Sequence, residues 1–302
     1  MTIDRQTWLL LGLLSILWGG AFFFIGVAVR ELPPFTIVLI RVALGALFLM
    51  PALKLLGGAW PKSLGGWMPF LGMGLLNNVI PFSLLVAGQT YISSGLASVL
   101  NATTPLFTVL VMAGFGDEKL AACRVTGILL GLIGVVVLRA PWLDQAHGQT
   151  IGMLLCLGAA LSYGFSGWWA RRKLTGVPPV TSSVCQLVSS TVVMAIIAAA
   201  YDRPWLLPMP SAATVLSLIG LAALGTSLAY IVFFQIINRS GPTNVMLVTL
   251  LIPVTAILLG FLVLGEPISM HETVGALIIA SALLAIDGRI LNWLHRRTFA
   301  QA

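Results

Sequence analysis

The chain has 302 residues, of which 59% are hydrophobic and 8% are charged, and its formal net charge is +7. Soluble domains carry roughly 25% charged residues, so this composition excludes a water-soluble protein and favours one embedded in a lipid bilayer. The basic residues lie singly or in short clusters between apolar runs, whereas a nucleic-acid-binding surface needs a continuous basic stripe. Nucleic acid is therefore not an expected partner.

Ten apolar runs are candidates for membrane crossing. About 20 apolar residues span about 30 Å of hydrocarbon as a helix, and helices are expected because lipid cannot satisfy an open backbone. The first run is too long for the apolar part of a signal peptide, about 7–15 residues, so we expect it to be retained. The predicted spans, numbered 1 to 10, are Trp8–Val29, Phe35–Leu55, Trp67–Ala87, Ser94–Phe115, Ala121–Leu138, Ile151–Trp169, Val180–Ala200, Ala212–Ile237, Val245–Leu264 and Val274–Leu291.

The distribution of lysine and arginine predicts the orientation, because cytoplasmic segments carry an excess of both. With the N-terminus in the cytoplasm, twelve of the 16 basic residues lie inside, three lie outside, and Arg41 lies within span 2. Both termini are therefore predicted to be cytoplasmic. The inside residues are Arg5, Lys54, Lys62, Lys119, Arg124, Arg171, Arg172, Lys173, Arg239, Arg289, Arg296 and Arg297; the outside residues are Arg30, Arg139 and Arg203.

The two halves of the chain repeat one pattern in the same order, and the offset between matched residues drifts only from 145 to 148. Because each copy has five spans, an odd number, the second copy is inverted in the membrane relative to the first. Inverted copies can exchange conformations and so open one central site first to one side and then to the other. We therefore predict an all-α integral membrane fold of ten transmembrane helices, with five-helix repeats at 1–140 and 148–292. The matched pairs are Trp18-Gly19 with Tyr163-Gly164, Pro33-Pro34 with Pro178-Pro179, Gly74 with Gly220, Gln89 with Gln235, Pro105 with Pro253, Glu118 with Glu266, and Gly127 with Gly275.

Spans 1 to 3 contain the first candidate binding residues. Trp18 lies in the middle of span 1 beside Gly19, and we predict that its ring lines a cavity. The alternative is that the glycine serves close packing of helices. Arg41 lies about 9 Å inside span 2, where outward snorkelling, a structural carbonyl partner and a substrate carboxylate are all open interpretations. Asn77 and Asn78 have no asparagine counterpart in the second repeat, so at least one is predicted to contact an asymmetric substrate. An interhelical hydrogen bond is the alternative.

Span 4 carries small and polar residues three and four positions apart, which places them on one helix face. Asn101 and Thr104 are predicted to line a cavity; a packing face whose hydroxyls bond to their own backbone is the alternative. Pro105 and Pro253 are predicted structural kinks. Each removes an intrahelical hydrogen bond and frees a carbonyl about one turn earlier, near Asn101 and near Thr249, where an ammonium group could bind.

Spans 6 and 7 supply further candidates. Tyr163 matches Trp18 and is a predicted cavity wall, and Gln186 belongs to a polar row at helical spacing. Ser166 lies in a Gly-Phe-Ser-Gly sequence that superficially resembles the nucleophile motif of rhomboid proteases. Such a serine needs a base, usually histidine, and none of the three histidines lies in a predicted span. An enzyme is therefore not predicted.

The loop glutamates and the cysteines are expected to have structural roles. Glu118 and Glu266 precede spans 5 and 10 and are predicted to stabilise the N-termini of those helices. The three cysteines, Cys123, Cys156 and Cys185, have no spacing typical of a metal site and are predicted to be packing residues. The sequence predicts neither a metal nor a cofactor.

Several of these features together resemble the EamA family of the drug/metabolite transporter superfamily. They are Trp18-Gly19, Pro33-Pro34, Arg41, the prolines of spans 4 and 9, and Gly265-Glu266-Pro267. The resemblance covers nearly the whole chain, and within the family it is strongest to the bacterial aromatic amino acid exporters of the YddG type. It implies a multi-pass transporter of the bacterial inner membrane that exports small metabolites.

The candidate residues favour a neutral or zwitterionic solute. No carboxylate lies mid-span to neutralise an organic cation, whereas amides, hydroxyls and aromatic rings suit amino acids, and the resemblance points to aromatic ones. We predict an alternating-access carrier, an exporter or exchanger; nucleobases, drugs and other amphipathic metabolites are alternative substrates, and a channel is less favoured. The predicted partners are this solute and the lipid bilayer, and a monomer is compatible with the sequence. The spans contain no histidine and no acid apart from Asp287 near the end of span 10, which predicts transport without proton coupling.

Overall fold

The computed structural model describes residues 4–117, 122–139, 147–245 and 247–287. Seven helices have the length and composition to cross a membrane, and three shorter apolar helices complete a set of ten. These helices are α1 (Arg5–Ala28), α2 (Pro34–Leu55), α3 (Leu64–Gly88), α4 (Ser94–Gly114), α5 (Ala122–Arg139), α6 (His147–Lys173), α7 (Pro179–Tyr201), α8 (Ala212–Ser240), α9 (Pro242–Val245 and Val248–Leu264) and α10 (Met270–Asp287).

The prediction of an all-α membrane protein with ten helices is confirmed, and the described ranges contain no strand. Local sequence explains where several helices begin. Pro34 and Pro179, from the matched proline pairs, lie in the first turns of α2 and α7, where a missing backbone N–H removes no helical hydrogen bond. The main departure from the predicted spans is in α9, where a turn at Leu247 separates the two helical pieces.

Two matched glycines allow helices of opposite halves to approach closely. A Cβ atom on Gly19 of α1 would lie 2.6 Å from Thr255 Cβ and 3.0 Å from the Ile252 carbonyl oxygen, both on α9. Its counterpart Gly164 of α6 lies equally close to α4, where a Cβ atom would be 3.0 Å from the carbonyl carbon of Phe107. Helix α1 of the first half thus packs on α9 of the second half in the same way as α6 of the second half packs on α4 of the first, as an inverted repeat requires.

The apolar core of the described residues consists of two large clusters and a small third one around Phe70, Leu174 and Cys185. One large cluster contains Leu14, Leu100 and Ile252 from α1, α4 and α9, and the other contains Val42, Leu187 and Leu221 from α2, α7 and α8. Tyr163 packs against both large clusters. Many large apolar side chains on the periphery are exposed, including Leu262 at 72% and Leu277 at 64%, as expected for helices that face lipid.

A π-helical segment interrupts α3 and α8 near equivalent positions of the two repeats. The segment Leu75–Val79 lies in α3, and Ala223–Leu228 lies in α8. A π segment shifts the register of the side chains that follow and is frequent at functional sites. In α8 the hydroxyls of Thr226 and Ser227 donate to the carbonyls of Leu221 and Ala222, five residues earlier, and so satisfy backbone groups that the wider turn exposes.

Two acidic residues, Glu31 and Asp202, connect the two halves at the face that the charge distribution predicts to be outside. Asp202 accepts the backbone N–H of Thr36 at 2.7 Å, at the start of α2. Glu31 accepts the N–H of Ser211 at 2.7 Å, before α8, and these Ser211 hydrogen bonds lower the pKa of the Glu31 carboxyl. Each carboxylate therefore lies at the positive end of a helix dipole that belongs to the other half.

Glu266 stabilises a helix N-terminus, as predicted, but the helix named in the prediction is wrong. Its carboxylate accepts the N–H groups of Ser94 at 3.0 Å and Gly95 at 3.4 Å, and so stabilises the N-terminus of α4 rather than that of α10. The start of α10 is instead stabilised by Ser269 and Glu272, which exchange side-chain and backbone hydrogen bonds as a capping box. Glu118, predicted to do the same for α5, lies outside the described residues.

The predicted orientation gives a first testable expectation. In a variant whose native cysteines are replaced by alanine, single cysteines at Lys62 and Arg171 should react with a membrane-impermeant thiol reagent only from the cytoplasmic side. Single cysteines at Arg203 and Met209 should react only from outside, because these loops lie at the opposite ends of the helices. Labelling in intact cells and in inverted vesicles measures both. Reaction of all four positions from one side would contradict the inverted repeat.

Candidate functional site

The π segment of α3 brings two adjacent amide side chains to the interior of the bundle. Consecutive residues of an α-helix point about 100° apart, yet Asn77 and Asn78 both have partners on other helices of the bundle. Asn78 is fully buried, whereas Asn77 is only half buried. The two asparagines therefore differ in their access to a solute, although the sequence presents them as a pair.

Asn78 joins three helices through two hydrogen bonds, one donated and one accepted. Its Nδ2 donates to Ser190 Oγ of α7 at 3.0 Å, and its Oδ1 accepts the Tyr230 hydroxyl of α8 at 3.3 Å. Ser190 in turn donates to the Gln186 carbonyl at 2.6 Å. With no exposed surface and both amide atoms paired, Asn78 has the environment of a structural residue.

Asn77 has a different environment. Its Nδ2 lies 3.2 Å from Gln186 Oε1 and 3.4 Å from the Tyr230 hydroxyl, and its Oδ1 accepts the Ser166 hydroxyl at 3.2 Å. The amide is thus oriented by three side chains from α6, α7 and α8. Asn77 is only half buried, and its amide has two donor hydrogens and an acceptor oxygen, which leaves it better placed than Asn78 to make a further hydrogen bond.

Arg41 does not snorkel towards the end of α2. The residue is only 6% exposed, and its Nε donates to Thr226 Oγ1 at 3.1 Å. Thr226 lies in the π segment of α8, at the midpoint of the helix Ala212–Ser240. The guanidinium carbon also lies 3.6 Å from the centre of the Phe82 ring, and Phe82 belongs to the apolar cluster against which Tyr163 and Tyr230 pack.

Two hydrogen-bonded groups, the network around Asn77 and Asn78 and the pair of Arg41 with Thr226, adjoin the apolar cluster that contains Phe82, and together we call them the central polar cluster. It has members on α2, α3, α6, α7 and α8, and therefore on both repeats. Its amides and hydroxyls offer donors and acceptors, and its single arginine offers a positive charge. The cluster consists of Arg41, Asn77, Asn78, Ser166, Gln186, Ser190, Thr226 and Tyr230.

A chain of aromatic rings connects the cluster to α1. Trp18 packs against Phe233 with ring centres 5.5 Å apart, and Phe233 contacts Phe234 at 5.8 Å. Phe234 in turn stacks with Tyr230 at 6.2 Å. Trp18 is thus connected to Tyr230 only through the two rings of Phe233 and Phe234, whereas Tyr163 packs against the same apolar cluster as Tyr230.

The predicted residues of α4 lie at a break in that helix. Ala102 and Thr103 separate the pieces Ser94–Asn101 and Thr104–Gly114, and Pro105 lies in the first turn of the second piece. The Asn101 carbonyl is not left free, as the sequence predicted, because the Thr104 hydroxyl donates to it at 2.7 Å. The side-chain Oδ1 of Asn101 is buried and has no hydrogen-bond partner within the described part of the chain.

The predicted residues of α9 lie away from the break in their helix. Pro253 is inside the continuous piece Val248–Leu259, six residues after the turn at Leu247. Thr249 and Pro253 both line an apolar groove of about 360 Å³ between α4, α9 and α10, together with Leu96, Val99, Ile257 and Ala276. The structure therefore does not bring these two residues to the central polar cluster.

Sequence patterns indicate some members of the cluster and not others. Ser190 belongs to the same polar row of span 7 as Gln186, and Tyr230 is an aromatic residue within span 8. Thr226 was missed, because hydroxyls in membrane helices usually bond to their own backbone and no sequence pattern shows that this one faces an arginine. Ser166 attracted attention only through its glycine neighbours.

Comparison with known proteins agrees with this architecture. A model of the EamA-like transporter family matches the chain twice, at residues 6–140 and 150–286. The chain is 28% identical to an "Uncharacterized transporter" of Archaeoglobus fulgidus, covering 90% of this chain and 95% of the relative. It is 28% identical to the "Uncharacterized inner membrane transporter YedA" of Escherichia coli K12, covering 90% and 88%.

Two further similarities concern function and fold. The chain is 25% identical to the "Probable amino-acid metabolite efflux pump" of Escherichia coli K12, covering 93% of this chain and 94% of the relative. A solved crystal structure superposes with a TM-score of 0.66 over 95% of this chain and 98% of its own, at 20% identity. The latter similarity supports the fold alone.

Proposed function

Because the chain belongs to the EamA-like transporter family, we propose that it carries small neutral or zwitterionic metabolites, best exemplified by amino acids including aromatic ones. The observation that carries the proposal is the half-buried amide of Asn77, held by Gln186, Tyr230 and Ser166 at the π segment of α3. Polar groups are costly in a membrane interior and mark solute pathways when they face a cavity. The relative named as an amino-acid metabolite efflux pump supports the same substrate class.

The chemistry of the cluster fits such a solute. Amides and hydroxyls can bond to the ammonium and carboxylate groups of an amino acid, and the rings of Trp18, Tyr163 and Tyr230 offer apolar surface for its side chain. No acidic side chain belongs to the cluster, so an organic cation would lack a counter-ion there. Nucleobases, which offer ring stacking and amide-like edges, are the second substrate class to test.

Alternating access is the mechanism that the repeat favours. The α1–α9 and α6–α4 contacts are equivalents, and the cluster draws residues from both halves. Rocking of one half against the other would expose the cluster first to one side and then to the other. The acidic residues Glu31, Asp202 and Glu266 join the halves at one face, and we propose that these contacts break when that face opens.

A hydrolytic function is not proposed. Ser166, the one candidate nucleophile, donates its hydroxyl to the Tyr163 carbonyl at 2.8 Å and to Asn77 Oδ1 at 3.2 Å. Neither partner can accept a proton as a general base, which an activated serine requires. Its recorded contacts are those of a residue that orients Asn77.

A counterflow assay in proteoliposomes tests the proposed function. Vesicles loaded with unlabelled phenylalanine should take up external radiolabelled phenylalanine transiently above equilibrium, and vesicles without protein should not. Tryptophan, leucine, uracil and adenine inside the vesicles identify which solutes exchange. Exchange with uracil or adenine but with no amino acid would replace the amino acid proposal with a nucleobase one, and exchange with none would contradict both.

Energy coupling gives a second expectation. A proton-driven carrier needs an ionisable group that gains and loses a proton along the path, and the cluster contains amides, hydroxyls and an arginine that stays charged. We therefore expect phenylalanine to equilibrate across proteoliposomes without an imposed pH gradient. The measurement is initial uptake with and without a gradient, and with a protonophore. Uphill accumulation that the protonophore abolishes would contradict this expectation and direct attention to Asp287, whose side chain lies outside the described ones.

A further inference from the structure

Arg41 is a positive charge at the middle of the helix bundle. Only 6% of the residue is exposed, and its Nε donates to a hydroxyl at the midpoint of α8. Arginine stays protonated in proteins, and a charge at this depth is expensive unless a counter-charge or several hydrogen bonds compensate for it. The sequence and the bilayer therefore require a partner for this guanidinium.

The protein itself supplies only part of that compensation. Within the described ranges the recorded ion pairs are Arg172 with Asp117 and Arg239 with Asp4, and no carboxylate pairs with Arg41. Its contacts are one hydroxyl, on Thr226, and the face of the Phe82 ring at 3.6 Å. A guanidinium has five N–H donors, so the donors on the two Nη atoms are not used by these contacts.

The unused donors are not fully enclosed by protein. Neither Nη atom of Arg41 is among the completely buried polar atoms that lack a hydrogen-bond partner in the described part of the protein. The Nη atoms therefore keep some accessible surface, although the residue as a whole is only 6% exposed. Tyr163 and Tyr230 pack against the apolar cluster that contains Phe82, the ring beneath the Arg41 guanidinium, and the Tyr230 hydroxyl accepts a hydrogen bond from the Asn77 amide.

We propose that Arg41 is the receptor for the carboxylate of the transported solute. The planar pair of Nη donors matches a carboxylate in bidentate geometry, while Phe82 and Thr226 hold the guanidinium in place. The inference rests on the proposed function and narrows it: the substrate must carry a carboxylate, which favours amino acids and other carboxylic acids over nucleobases and amines. Because Arg41 lies on the first repeat and Thr226 on the second, a bound carboxylate would also sit at the junction of the two halves.

A pair of ligands that differ only in the carboxylate tests this role in the unaltered protein. Phenylalanine should inhibit counterflow of labelled phenylalanine at a concentration at least tenfold lower than phenylalaninol, in which an alcohol replaces the carboxylate. 3-Phenylpropionate, which keeps the carboxylate and lacks the amine, should also inhibit more strongly than phenylalaninol. Equal inhibition by phenylalanine and phenylalaninol would overturn the inference while leaving amino acid transport intact.

The variant Arg41→Gln separates recognition from structure. If Arg41 binds the carboxylate, the preference for phenylalanine over phenylalaninol should fall to about one, because only phenylalanine loses affinity. A purely structural Arg41 would weaken both ligands to the same degree and leave their ratio unchanged, which would overturn the proposal. Arg30→Gln, a charge change in the loop after α1, is the matched control and should preserve the ratio. If Arg41→Gln does not fold, the comparison of phenylalanine with phenylalaninol in the unaltered protein tests the inference by itself. Absence of any amino acid counterflow by the unaltered protein would refute the proposed function and this inference together.

Discussion

Replacing Asn77 with alanine should lower phenylalanine counterflow about tenfold or more while folded protein is still recovered in normal yield. The half-buried amide is oriented by Gln186, Tyr230 and Ser166, and a site that hydrogen-bonds its solute discriminates strongly when that bond is lost. A tenfold change corresponds to about 1.4 kcal/mol, which is within the contribution of one such bond. Counterflow rates at equal protein density measure the effect.

Asn78 is the matched control for Asn77, because it is the same residue type one position later. It is 0% exposed, and its amide pairs with Ser190 and Tyr230. Asn78→Ala should leave these two hydroxyls without their partner, at a cost of about 1–3 kcal/mol, and should therefore lower the thermal unfolding midpoint in detergent. If Asn77→Ala destabilises the protein and Asn78→Ala selectively removes transport, the assignment of the two roles is wrong.

Replacing Gly19 with valine should strongly destabilise the packing of α1 on α9. The added Cβ would lie 2.6 Å from Thr255 Cβ and 3.0 Å from the Ile252 carbonyl oxygen, distances that require one helix to move. Overpacking of this kind costs about 1–3 kcal/mol or more. The expected result is a lower unfolding midpoint and loss of counterflow, measured by thermal unfolding in detergent and by the proteoliposome assay.

Gly12→Val provides the control in the same helix. No atom lies within 4 Å of a Cβ built on Gly12, so this change alters helix propensity as Gly19→Val does but adds no clash. Its unfolding midpoint should stay close to that of the unaltered protein. Similar midpoints for the two variants would show that α1 and α9 are not packed as described.

The fold could be predicted from sequence because its determinants are local or periodic. Apolar length marks each span, and the ordered pairs from Trp18-Gly19 to Gly275 mark the repeat. Asn77 and Asn78 were also singled out, because neither has an asparagine counterpart in the second repeat. Their different environments were not predictable, because they depend on which partner from α7 or α8 faces each side chain.

Two outcomes depended on contacts between residues far apart in sequence. The interpretations of Arg41 were left open because only its distance from the end of its own span was visible, and its partner Thr226 is 185 residues away. Glu266 was assigned to the next helix, yet it binds the start of α4, 172 residues earlier. The carbonyl predicted to be freed by Pro105 is taken by Thr104, a local contact that the alternative of hydroxyl back-bonding had described correctly.

The location of the substrate is tested most directly by photo-crosslinking with a phenylalanine analogue that carries a diazirine on its ring. The central polar cluster predicts adducts on α3 between residues 75 and 82 and on α8 between residues 226 and 234, and excess phenylalanine should suppress them. Adducts confined to the apolar groove of α4, α9 and α10, around Thr249 and Ala276, or adducts that excess phenylalanine does not suppress, would contradict this location.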